Sequence, residues 1–133
     1  MKRVDVYFLL LATVLLVCGA VLGIVMGVQE NFQLTPVHAH LNLAGWASLA
    51  LFGLTYRAYP QLASTSLAGL HFIVSGTGSV LLPVGIGFAV LRNSPGLAIV
   101  ASILWLLGVL IFLAQLVRLL GGRSEAPAAM PAE

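Results

Sequence analysis

From Val6 to Val28 the chain runs without a charged residue. That is longer than the roughly 20 residues a helix needs to cross the hydrocarbon of a bilayer. Inside lipid every backbone N–H and C=O has to be bonded within the protein, so only helices and closed barrels span it. The run shows no strand-like alternation, which selects the helix. Lys2 and Arg3 ahead of it imitate the start of a signal peptide. The apolar run exceeds the ~7–15 residues of such a peptide, however, and no clean small-x-small cleavage site ends it. The segment is expected to be a retained transmembrane helix.

The same character returns three more times. Helices are expected at about 5–28, 36–59, 62–91 and 95–120, the second opened by Thr35 as N-cap with Pro36 at N1, the third tilted or bent near Pro83. The chain is 60% hydrophobic and 8% charged, against about half and a quarter in soluble domains. The expected fold class is therefore an all-α membrane protein: four transmembrane helices in an antiparallel bundle, with residues 1–122 as one domain embedded in membrane lipid. The tail "RSEAPAAMPAE", 123–133, is expected to be disordered. The single cysteine, Cys18, excludes an internal disulfide and reads as a small apolar filler. The net charge of +2 comes from basic residues flanking the helices, so it points to no nucleic acid.

Lys2, Arg3, Arg57, Arg118 and Arg123 fall on one side of this arrangement and only Arg92 on the other. The positive-inside rule then puts both termini in the cytoplasm of a cell whose inner membrane the chain crosses. His38 and His40 lie at the outer, periplasmic end of the second helix. His71 enters the third helix from the cytoplasmic side, about 20 Å from the pair along the membrane normal, too far to share a metal with it in one protomer. In the first helix Gly19, Gly23 and Gly27 make two overlapping GxxxG steps, a ridge for close approach of a helix from this chain or another.

The stretch "TPVHAHLNLAGW", residues 35–46, carries the chemistry. Imidazole is costly to bury in lipid and calls for a partner. Positions 38 and 40 lie about 200° apart around a helix, so the rings point to different sides. One metal chelated by both would need the i,i+4 spacing. The arrangement suits two different acceptors, or one ligand and one hydrogen-bonding group. His38 shares its face with Asn42, Gly45, Leu49, Phe52 and Tyr56; Asn42 would orient the ring or bond across helices, and Gly45 would leave room for something flat and bulky. His40 shares a face with Ala44, Ala47 and Leu51. The residues alone leave two readings open: interfacial hydrogen bonding, or a metal or haem site on His38 and His40. Further on, His71, Ser75, Gly78, Leu82 and Gly85 form one helical stripe, with His71 read as a buried histidine satisfied by Ser75 or a nearby carbonyl. There is no HExxH, CxxC, phosphate loop or serine–histidine–carboxylate set. Asp5, Glu30, Glu125 and Glu133 are all terminal or in loops, which weighs against a proton or cation carrier.

"HAHLNLAGWASLALFGLTYRAYPQL" resembles the tenth helix of the catalytic subunit of haem–copper oxidases, closest to the C-family oxidases and their nitric oxide reductase relatives. There too a His-x-His is followed by Gly, a second Gly, and an aromatic and Pro at the helix exit. "LHFIVSGTGSVLLPVGI" is similar to the eleventh helix. Residues 1–120 thus resemble one four-helix unit, helices nine to twelve, of a twelve-helix subunit built around a pseudo-threefold axis. The resemblance implies a b-type haem-binding membrane protein for electron transfer or diatomic gas binding. It carries the high-spin haem onto His38 and the low-spin haem onto His40, with Asn42 and Gly45 lining the site. The family's copper ligands and second axial ligand belong to other units, so copper is not expected, no catalytic residue is assigned, and the chain alone lacks a complete oxygen-reductase site. His71 receives no ligand role. The family architecture implies haem held between protomers of a homo-oligomer, a trimer first and a dimer second, served by a redox partner. The competing reading is a membrane scaffold or accessory subunit without cofactor.

Overall fold

A computed structural model describes residues 3–121; the tail expected at 123–133 lies outside the described residues. The elements are α1 (Val4–Val28), α2 (Thr35–His40), a π-helical segment (Leu41–Ala47), α3 (Ser48–Ala58), the single turn α4 (Pro60–Ala63), α5 (Ser66–Arg92) and α6 (Gly96–Gly121). Among the described residues there is no strand. Helices α1, α5 and α6 are each long and apolar enough to cross a membrane, and the chain has the composition and fold of an all-α membrane protein.

Three local expectations are corrected. Thr35 is the first residue of α2 and Leu34 its N-cap, while the Thr35 hydroxyl donates to Phe32 O at 2.7 Å instead of capping. Pro36 still falls in the first turn, whose N–H groups have no intrahelical acceptor to lose. The third long helix starts at Ser66, because residues 60–63 form their own turn behind Pro60 and Thr65 is extended. The second helix is not uniformly α: its middle, Leu41–Ala47, is wound as π-helix. By contrast α5 runs unbroken through Pro83.

α1 packs antiparallel to the rod of residues 35–58. Asp5 meets Arg57 at one end, while Gly19 and Gly23 meet Asn42 and His38 at the other. The glycine ridge is therefore filled from within the chain, except at Gly27, which has nothing within 4 Å of a would-be Cβ. The closest backbone approach lies elsewhere, between α5 and α6: a Cβ on Gly78 would stand 2.8 Å from Trp105 Cα, and Gly85 abuts the backbone of Ala98. Asn93, in the left-handed region at φ 50, and Pro95 turn the chain between these two helices. The His71–Ser75–Gly78–Leu82–Gly85 stripe is buried along its whole length. The core of the other half is built on Phe8, Leu15, Leu49, Phe52 and Tyr56. Leu10, Val14, Val17 and Val21 of α1, and Ile99, Ile103, Leu106 and Leu110 of α6, face outward, as lipid-facing side chains do.

Candidate functional site

Directly behind the two histidines, the π segment opens the ordinary i→i−4 ladder. Such widened turns are frequent at functional sites. Ala44 O accepts from Ser79 Oγ of α5 at 2.9 Å and from Trp105 Nε1 of α6 at 3.3 Å, and Ser48 Oγ reaches back to Leu43 O at 2.8 Å. The segment is thus pinned to α5 and α6.

The two histidines go to different places, as their spacing predicts. His38 turns toward α1. Its Nδ1 donates to Gly19 O at 2.9 Å, and the ring edge lies over Gly23, whose Cβ would be 2.8 Å from His38 Cε1. Asn42 donates to the main-chain His38 O at 2.8 Å, with its amide nitrogen 3.5 Å from His38 Nε2. Gly45 is buried on the same face, and the space beside it is taken by Leu15 of α1, 3.0 Å from a would-be Cβ. His38, Asn42 and Gly45 are brought together, and what they hold is α1.

His40 turns the other way. Its Nδ1 lies 2.8 Å from Pro36 O, a carbonyl one turn back in its own helix. Since a carbonyl only accepts, the ring proton is assigned to Nδ1 and the Nε2 lone pair is left free. His40 lines a cleft of about 350 Å³ with Ala39, Ala44, Ser48, Leu82 and Trp105. An imidazole whose Nδ1–H is fixed on a backbone carbonyl is the usual form of a histidine prepared to ligate through Nε2.

A second polar region, nearer Arg57, was only half visible in the sequence. Tyr56 OH lies 2.9 Å from His71 Nδ1, Gln115 Nε2 donates to the same phenol oxygen, and Thr65 Oγ1 is 3.3 Å from Gln115 Oε1. The line joins α3, α5, α6 and the turn before α5. His71 is 0% exposed and packs among Phe8, Phe52 and Phe112 at ring-centroid distances of 5.0, 4.8 and 5.4 Å. Its expected partner, Ser75, is not the one it uses. The signal for Gln115 was present: a lone amide in an otherwise apolar run needs a partner in lipid. No comparable signal marked Trp105 or Ser79.

Among the described residues no three His, Cys, Asp or Glu side chains gather around one point. No protein-family model matches the chain, and neither does any curated protein or solved structure.

Proposed function

We propose that the chain is a b-type haem-binding integral membrane protein in which His40 supplies the iron ligand. The observation that carries the reading is His40 itself, with Nδ1 tied to Pro36 O, Nε2 without a hydrogen-bond partner among the described residues, and the residue in the lining of a cleft beside a π segment pinned by Ser79 and Trp105. The donor set fits haem to the extent of one axial ligand per chain, since His38 has its ring edge against α1. When bound, the haem would supply a one-electron couple if six-coordinate, or a face for a diatomic gas if five-coordinate.

The cleft of about 350 Å³ is at the small end of the roughly 300–1,000 Å³ of ligand pockets. That favours haem shared between protomers of a closed homo-oligomer, with the trimer first because it restores the twelve helices of the oxidase-like arrangement and the dimer second. In this proposal the rod 35–58, about 35 Å long, is the fourth span. Both termini are cytoplasmic and the protein lies in the inner membrane, by the positions of Arg3, Arg57 and Arg118 against Arg92.

The test is the absorption spectrum of protein purified from haem-replete cells. A Soret band that vanishes in His40→Ala supports the reading; a colourless wild type sinks it. One observation favours a second reading, a cofactor-free scaffold. His38 is already used up in bonding Gly19 O of α1, and Asn42 in bonding His38 O and packing over Gly19. That reading gains if the colourless protein still assembles.

A further inference from the structure

The polar line that ends on His71 leaves two atoms without partners. His71 Nε2 and Ser75 Oγ are both buried and make no hydrogen bond, and their residues are 0% and 1% exposed. They belong to side chains one helical turn apart on α5. In a bundle surrounded by lipid such atoms are costly, since no bulk solvent can satisfy them.

Ser75 had an ordinary way out. A helical Ser or Thr can donate to the carbonyl four residues back, and Thr13, Thr55 and Ser102 all do so at 2.8 Å. Ser75 does not. Its hydroxyl is turned to Gly108 of α6, where a Cβ would collide with it. The absence of a side chain at Gly108 is what admits the hydroxyl to this spot.

His71 points to the same need. Gln115 donates to the phenol oxygen of Tyr56, and the phenol's own hydrogen is assigned to His71 Nδ1, its one remaining partner among the described residues. The ring's own proton is then on Nε2, a donor with nothing to accept from it. A guest here has to accept from an N–H and exchange a hydrogen bond with a hydroxyl. It also has to fit among Phe8, Phe52 and Phe112. Water can accept from the N–H and exchange a hydrogen bond with the hydroxyl, and it is the smallest guest that does both; buried water characteristically joins otherwise unsatisfied polar groups.

We propose that His71 Nε2 and Ser75 Oγ bind one internal water molecule, exchanged from the Arg57 end of the bundle past Tyr56. Tyr56 is the link in both directions. It bonds His71, and it also lines a cleft of about 680 Å³ with Asp5, Arg57 and Ser64. The proposal does not depend on haem.

The test is water-edited solid-state NMR on full-length protein in lipid bilayers, with ¹⁵N-labelled histidine. The chain has 3 histidines. His71 is recognised by through-space transfer to phenylalanine ring protons, since it packs among Phe8, Phe52 and Phe112. Its Nε2–H should receive magnetisation from water, and Ser75→Ala should reduce that transfer several-fold while the Nδ1 contact with Tyr56 persists. Ser75→Ala removes one atom beside Gly108 and should fold. A wild-type Nε2–H that receives nothing from water overturns the proposal. So does undiminished transfer in Ser75→Ala, because Ser75 would then be no part of the site.

Discussion

His40 bonds a carbonyl of its own helix through Nδ1 and stands in the lining of a cleft, whereas His71 is fully buried, bonds a tyrosine on another helix and is packed among aromatic rings. The first bond orients a ring without tying helices together. The second does both at once. The same residue type thus serves two ends in one bundle: His40 is held in position at little cost to the fold, and His71 is part of what the fold is made of. His38 falls between them, since its bond to Gly19 O joins two helices.

The sharpest way to break this contrast is to delete the two rings separately. His40→Ala should abolish the Soret band while moving the stability of the bundle by under about 1 kcal/mol, because its only bond is local. Absorption spectra and denaturant-dependent unfolding in the same detergent check both halves. A large loss of stability with haem retained would reverse the roles assigned here. His71→Ala should do the opposite, costing about 3 kcal/mol from the emptied aromatic pocket and the stranded Tyr56 hydroxyl. In protein reconstituted with haem, the absorption maximum should not move.

Gly23 sharpens the intermediate case. A Cβ there would lie 2.8 Å from His38 Cε1. Gly23→Leu therefore expels the imidazole from α1, with an expected cost of about 1–3 kcal/mol from overpacking. Its effect should stay within one chain, leaving the mass of the assembly in native mass spectrometry the same as that of the wild type. Gly27→Leu is the control, since nothing lies within 4 Å of that position. Loss of oligomer in Gly27→Leu but not in Gly23→Leu would place a neighbouring chain over the end of the ridge.

The long helices were legible because lipid imposes a length and an apolar character that composition shows directly. The divergence of His38 and His40 was legible too, since it follows from helical spacing alone. What each ring meets was not. Gly45 looked like room for a cofactor, yet Leu15 of α1 fills it, and one-dimensional periodicity cannot say which neighbour occupies a small-residue face. The π segment was hidden because "LNLAGWA" has no composition that α-helix forbids, and the residues that bond its Ala44 O, Ser79 and Trp105, are far away in sequence. The same holds for Tyr56 and Gln115, whose sequence separation of 59 concealed a direct contact.

The smallest expected effect concerns the charged end, where the contrast between local and long-range bonding should nearly disappear. Arg57 Nη1 lies 3.2 Å from Asp5 Oδ2 and joins α1 to the end of α3, as His71 joins its helices. Yet the Arg57 side chain is 75% exposed and that of Asp5 15%. An exposed pair is screened and gives up side-chain entropy, so Arg57→Ala should cost under about 1 kcal/mol and less at high salt. Asp5→Asn should cost more than Arg57→Ala. Asp5 stands in the first turn of α1, where a negative charge also meets the positive end of the helix dipole, a contribution of about 0.3–1 kcal/mol that does not need Arg57. A double-mutant cycle separates the two terms: the coupling energy reports the ion pair, and the Asp5→Asn effect that survives in the Arg57→Ala background reports the dipole. A coupling as large as the cost of His71→Ala would mean that distance between elements, not burial, decides which contacts hold this bundle together.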